Sequence, residues 1–416
     1  MTESEGCCVS NHSLPQTPMS ERERKKFLRG AIFLMATSSI GPAFLTQTSL
    51  FTQQFMASFA FAIVASIVID IGAQLNIWRV ISVSGLRGQE IAGKVFPGLG
   101  LFVAILMVFG GFAFNIGNVA GAGLGINVLF GLPVELGAAI TAVIAIIIFL
   151  VRNAMRVVDW VMQVLGIIMI VMVGYVMFST SPPLQEVLIK AVLPDNFNAL
   201  LLPIVTLVGG TVGGYISFAG GHRLIDAGVV GKENVGFVSR AANYGILTTG
   251  IMRVFLFLAV LGVVTLGYTL DEGNPAATVF QVALGDIGYK MFGIVLFAAA
   301  ISSVIGCAYT SISFLRSFHP FFEKYNSIII AVFIAISTII FVSIGRPVQL
   351  LVLAGALNAL ILPVVLTTIL IASRKKSIVG DYRHPTWLIV FGIIAILVTI
   401  GAGYISIGAL IDLWTG

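Results

Sequence analysis

From residue 27 onward, long apolar stretches follow one another with only short polar segments between them. A run of roughly 18 or more apolar residues is long enough to span a bilayer as a helix. The pattern predicts helices over residues 27–51, 54–81, 97–129, 134–151, 157–178, 199–228, 241–268, 287–315, 326–345, 348–373 and 386–414. Two of these are interrupted in mid-span, at Ser39-Ile-Gly-Pro-Ala-Phe44 and at Gly209-Gly-Thr-Val-Gly-Gly214. Non-helical backbone is costly in hydrocarbon and is tolerated where it lines a cavity or is buried in protein. Paired interruptions in corresponding positions of two halves are a pointer to a transporter's binding site.

Five predicted helices precede residue 180 and five more end near residue 373, so an odd number per half inverts the second half. The expected fold is therefore an all-α polytopic membrane protein of eleven transmembrane helices. It comprises two inverted five-helix repeats, with the first and sixth helices broken. The predicted divisions are a disordered tail at 1–20, a first repeat at 21–180, a second at 181–375 and an added helix at 376–416. Residues 1–20 lack the apolar core of a secretory signal.

Composition agrees: 58% of residues are hydrophobic, 10% are charged and the mean hydropathy is +1.05. Charge then orients the chain. With the N-terminus inside, the alternate segments that become cytoplasmic hold every Lys and Arg except Lys190, Arg253, Lys290 and Arg346. Those four are placed at or near the other side, as the positive-inside rule predicts for a minority. The expected location is the plasma (inner) membrane, with a cytoplasmic N-terminus and an external C-terminus. The net charge of +5 reflects this asymmetry and attraction to anionic headgroups, so nucleic acid is not an expected partner. The three cysteines, Cys7, Cys8 and Cys307, form no disulfide or metal framework.

At the breaks, Pro42 removes a backbone donor and the glycines permit unwound dihedrals, which frees carbonyls at Ser38, Ser39 and Ile40. Carbonyls near Gly209, Gly210 and Thr211 are freed in the same way, and carbonyl oxygens suit hard cations. The glycines Gly117, Gly121, Gly123 and Gly125 read instead as helix packing. Asp70 is an ionisable residue inside a span and a candidate pathway residue. The alternative for Asp70 is a structural acid paired with a base or hydroxyl at a helix junction. Asp226, four residues after His222, belongs to an inner gate or exit.

With these residues in view, the chain resembles the Nramp family of divalent transition-metal transporters from about residue 27 to the end. Gly41-Pro-Ala-Phe44 stands where that family carries DPGN, and Gly213-Gly-Tyr215 stands where it carries MPH. Gly210-Thr-Val212 replaces its Ala-Thr-Val, and the tenth helix, from Leu351-Val-Leu353 to Leu362-Pro363, follows its pattern. The resemblance implies the family's fold. The family's metal-binding Asp, Asn and Met correspond here to Gly41, Phe44 and Gly213, and only the carbonyl at Gly210 carries over. Losing the thioether removes the soft ligand that favours transition metals.

These departures are similar to those of the divergent Nramp-related magnesium transporters. The resemblance implies transport of magnesium, and of manganese also, as a largely hydrated ion surrounded by Ser38, Gly41, Phe44, Gln47, Gly210, Gly213 and Tyr215. The family's proton-handling Asp and His positions hold Gly41, Tyr215 and Gly220, none of which titrates near neutral pH, so uncoupled flux is expected. The metal is a transported substrate. No cofactor, no enzymatic activity and no partner beyond the ion and the bilayer are expected, and the protein is expected to be a monomer. The alternatives are a sodium-coupled amino-acid transporter of the same architecture and an ion channel.

Overall fold

Helix starts and stops follow local sequence. Proline occupies the first turn at Pro42, Pro275, Pro320 and Pro347, where its missing N–H leaves no bond unmade. Gly85, Gly131 and Gly345 end helices with φ of 64°, 69° and 66°, the left-handed stop that glycine permits.

The computed structural model describes residues 41–150 and 154–415, and every regular element among them is a helix. In chain order these are α1 (Pro42–Phe55), α2 (Phe59–Ser84), α3 (Gly88–Val95), α4 (Leu99–Phe130), α5 (Val134–Leu150) and α6 (Ala154–Thr180). Then come α7 (Leu184–Lys190), α8 (Leu201–Thr211), α9 (Ile216–Asp226), α10 (Val235–Thr265), α11 (Pro275–Ser313) and α12 (Pro320–Lys324). Last are α13 (Asn326–Ile344), α14 (Pro347–Ala372), α15 (Lys376–Val379), α16 (Thr386–Ile405) and α17 (Ile407–Thr415). Eight helical stretches among the described residues, with Pro42–Ser84 counted as one, are long and apolar enough to cross a membrane. A ninth is added if α6 and α7, bent by 106° at their junction, form one span.

The molecule is inside-out relative to a water-soluble protein. Phe109, Ile147, Val171, Ile339 and Leu397 are each more than half exposed, while Asn115, Asn118, Thr206, Ser311 and Asn358 are completely buried. An apolar solvent explains both, because hydrocarbon accepts the aliphatic surface and leaves polar groups to pair internally. The long α4 lies at the centre, packed against α11, α14, α5, α13 and α3. Its glycines make the approach possible, as the packing reading expects. A Cβ on Gly125 would sit 2.7 Å from the Phe297 nitrogen, and one on Gly121 would enter the Pro42 ring. α1 is wedged among α4, α8, α10, α11 and α14.

Several boundaries differ from those predicted. Residues 275–286, expected outside the eighth helix, begin α11, because Asn274 Oδ1 caps Ala277 N–H at 3.3 Å and Pro275 presets the first turn. Gly285, with φ of 65°, interrupts this helix inside its first third. The predicted 386–414 helix is divided at Ser406 into α16 and α17. Short helices α3, α7, α12 and α15 occupy segments expected to be loops. Arg253, assigned to the outer side, is in the middle of α10 and only 1% exposed.

Candidate functional site

The second break falls between α8 and α9. Gly213 N–H donates to Val208 O at 3.0 Å, as does Val212 N–H at 2.9 Å, so Gly209 O loses its helical donor. Among the described residues no backbone N–H reaches the carbonyls of Gly209, Gly210 or Thr211. The Ser217 hydroxyl donates to Val212 O across the gap. Gly214 has φ of +51°, and a Cβ there would collide with Asn358 Oδ1 on α14. Both the dihedral and the close approach therefore require glycine. Asn358 Nδ2 donates to Gly110 O and Ala354 O, both at 2.9 Å, which fixes the orientation of the amide and leaves Oδ1 unpaired.

Of the first break, the described part begins at Gly41, which caps α1 with extended dihedrals of −90° and −179°. α1 then buries an unusual polar run, Thr46, Gln47, Thr48, Ser49 and Thr52. Gln47 Nε2 donates to Leu351 O at 2.8 Å, and its unpaired Oε1 lies against Gly210, where a Cβ would be 3.4 Å away. α1 thus meets the second break at Gln47 and Gly210.

Charge enters from α2 and α10. The Thr211 hydroxyl, at the last residue of α8, donates to Asp70 Oδ2 at 2.5 Å, while Asp70 Oδ1 has no hydrogen-bond partner among the described residues. Arg253 is in electrostatic reach of Asp70, and its guanidinium stands 5.0 Å from the centroid of the Phe44 ring. A cation over an aromatic face is held by the ring quadrupole. Both charges are buried, so each depends on the other for compensation.

The predicted site residues divide accordingly. Gln47 and Gly210 are brought together, Phe44 carries Arg253, and Asp70 is tied to the break through Thr211. Gly213 packs on Gly209 and the Asn358 backbone, within 2.6 and 2.8 Å of an added Cβ. Tyr215 is buried and meets Phe114 of α4 edge-on, with ring centroids 5.9 Å apart. Ser38 and the side chain of Asp226 lie outside the described residues. Sequence reasoning missed Arg253 and Asn358. A charged residue in an apolar run was the available signal for Arg253, whereas nothing local marked Asn358.

Below the break, α9 is fastened to α2. Trp78 Nε1 donates to Ser217 O at 2.8 Å, Ser82 Oγ donates to Val229 O at 3.1 Å and Gly231 N–H donates to Ser82 O at 2.8 Å. His222 accepts from Gly88 N–H at 3.1 Å, and its ring packs on Phe314 and Phe218 with centroids 5.0 and 5.7 Å apart. Among the described residues no group of three or more His, Cys, Asp or Glu is arranged to hold a metal ion.

Comparison with known families bears directly on this arrangement. The family described as natural resistance-associated macrophage protein-like, Nramp, matches residues 32–409. The chain belongs to the Nramp family. An uncharacterised membrane protein, YcsG of Bacillus subtilis, is 54% identical over 389 residues, covering 93% of this chain and 96% of that protein. The divalent metal cation transporter MntH of Brucella suis is 24% identical over 299 residues, 66% of this chain and 64% of its own. Among solved structures, a point mutant of the Eremococcus coleocola manganese transporter superposes with a TM-score of 0.74 at 17% identity, covering 96% and 90% of the two chains. MhsT in complex with L-phenylalanine follows with a TM-score of 0.64 at 16% identity, covering 91% and 98%. The two structural likenesses establish a shared fold. As an Nramp member, the chain is a membrane protein of a transporter family.

Proposed function

We propose that this Nramp member carries a divalent cation, magnesium and also manganese, with much of its hydration shell retained, by alternating access and without proton coupling. The observation that carries the reading is the set of unpaired acceptor oxygens at the breaks. Among the described residues Gln47 Oε1, Asp70 Oδ1 and Asn358 Oδ1 lack donors, as do the carbonyls of Gly209, Gly210 and Thr211. Buried acceptors left unmade are costly, and the water shell of a hydrated ion presents only donors to its surroundings. Magnesium dehydrates reluctantly and keeps several waters when bound. An oxygen-lined site without a thioether suits magnesium better than it suits a soft metal.

The assignment takes Ser38, Gly41, Phe44, Gln47, Gly210, Gly213 and Tyr215 as the cavity residues, with Asp70 and Asp226 along the path. It takes the chain as a monomer of eleven helices in two inverted repeats (21–180 and 181–375), in the plasma membrane, N-terminus inside and C-terminus outside. An inside-negative potential then supplies about 4.6 kcal/mol per 100 mV for each divalent ion. Proteoliposomes loaded with a magnesium dye and a pH dye test this. Saturable magnesium entry driven by voltage, with constant internal pH, is the expected result. Absence of magnesium and manganese flux in folded protein would overturn the substrate, and proton entry in proportion to metal would overturn the uncoupled mechanism.

A second reading rests on Arg253 over Phe44. A buried guanidinium beside the N-terminus of α1, the positive end of that half-helix, would receive a small carboxylate such as an amino acid. Amino-acid flux that magnesium does not affect, abolished in Arg253→Met, would favour it over the cation.

A further inference from the structure

Between α14 and α16 lies a crevice of about 540 Å3, within the roughly 300–1,000 Å3 of ligand pockets. Leu370, Ile371, Ile389 and Ile393 line its length, and Arg374 and Lys375, just past the end of α14, line its mouth. Ile371 and Ile393 are each 46% exposed, so the groove opens toward lipid and not toward the interior. Its inner wall is tight. Gly392 of α16 faces Leu370 so closely that a Cβ would lie 3.1 Å from Leu370 Cδ1.

Arg374 and Lys375 border the mouth through their carbon stems, and their cationic groups stand beyond the apolar lining. Ser373 Oγ donates to Leu370 O at 2.7 Å and closes the helix end. Lys375 Nζ donates to Val95 O at 2.6 Å, which positions the ammonium and leaves two of its N–H groups for another acceptor. The 373–385 segment carries Arg374, Lys375, Lys376 and Arg383 against the single acid Asp381. Arg79 of α2 shares with Arg374 electrostatic reach of His384. An apolar trench ending at cations, at the edge of a membrane span, matches a molecule with a long chain and an anionic head.

We propose that this crevice binds one anionic phospholipid, its acyl chain along Ile371, Ile389 and Ile393 and its phosphate against Arg374 and Lys375. Basic pockets between membrane helices hold anionic headgroups in this manner. A zwitterionic lipid fills the trench equally well but brings its own cation to the mouth, so selectivity comes from the head.

Native mass spectrometry and thermal unfolding of the full-length protein, with phosphatidylglycerol or phosphatidylcholine added to the detergent, test the proposal. Phosphatidylglycerol is expected to be retained and to raise the unfolding temperature, and phosphatidylcholine to do so much less. Each cation contributes about fivefold in affinity. Arg374→Gln with Lys375→Gln should therefore weaken phosphatidylglycerol retention about 25-fold by the same constants. Ile393→Trp, which fills the trench and leaves the charges in place, should also lose retention. Equal retention of the two lipids, or undiminished phosphatidylglycerol binding by the double variant, would overturn the site. So would displacement by inorganic phosphate alone, which would mark an ion site with no use for a chain.

Discussion

Arg253 and Asp70 are the residues whose chemistry is most exposed to test, because each is an ionisable group buried in the protein interior within electrostatic reach of the other. Asp70→Asn preserves an acceptor for Thr211 but leaves the guanidinium uncompensated, which should cost about 3 kcal/mol of stability. Arg253→Met strands the carboxylate in turn. The double variant Asp70→Asn/Arg253→Met should recover most of the loss, and unfolding in detergent measures the coupling. Gln47→Leu isolates the site from the scaffold. It removes Oε1 and one hydrogen bond worth about 1 kcal/mol, so magnesium flux should fall far more than stability. Outside the spans, His384 Nε2 lies 2.8 Å from Asn76 Oδ1. Burial, then Arg79 and Arg374, push its pKa down from 6.5 to about 4. The unfolded chain therefore binds the proton first as pH falls. The contribution is complete above pH 6.5 and disappears as the pH drops through about 4, and His384→Gln should flatten that part of the unfolding-temperature profile. Asp70 was legible as an intramembrane acid, since one charge in an apolar run is visible in one dimension. Its partners were not, because Thr211 and Arg253 come from other helices and their pairing exists only after packing.

At the scale of elements, the second break was legible because glycine clusters report backbone need directly. What the break packs against was not. Gly214 is constrained by Asn358, far away in sequence, and Gly214→Ala combines a left-handed cost of about 1–2 kcal/mol with a collision at Oδ1. Adding Asn358→Ala should relieve the collision and not the dihedral, so unfolding measurements should show partial rescue. Gly125→Leu should instead force α4 from α11 at Phe297 and abolish folding. The start of α11 was missed for a different reason. Residues 275–286 include Asp286 and no long apolar run, so hydropathy passes over a helix that a cap and a proline begin. Arg253 was misplaced by the same kind of reasoning, since counting basic residues by side assumes that every cation reaches water.

For the whole molecule, alternation of apolar and basic segments conveyed a polytopic membrane protein, and the glycine-rich break conveyed where α8 gives way to α9. The resemblance supplied the family, and the missing carboxylate, thioether and histidines supplied the proposed cargo. Three hydrogen bonds join α9 and its following turn to α2, and the Thr211–Asp70 bond joins α8 to α2 as well. Both pieces of the interrupted helix are bolted to one shaft. A motion of α9 together with α2 would separate His222 from Phe314 while Ser82 and Val229 travel together. With Cys7, Cys8 and Cys307 replaced by Ser, a disulfide from Ser82→Cys and Val229→Cys should leave flux intact, and one from His222→Cys and Phe314→Cys should arrest it. The interruption between α8 and α9 is then less a hinge than a slot cut into a lever.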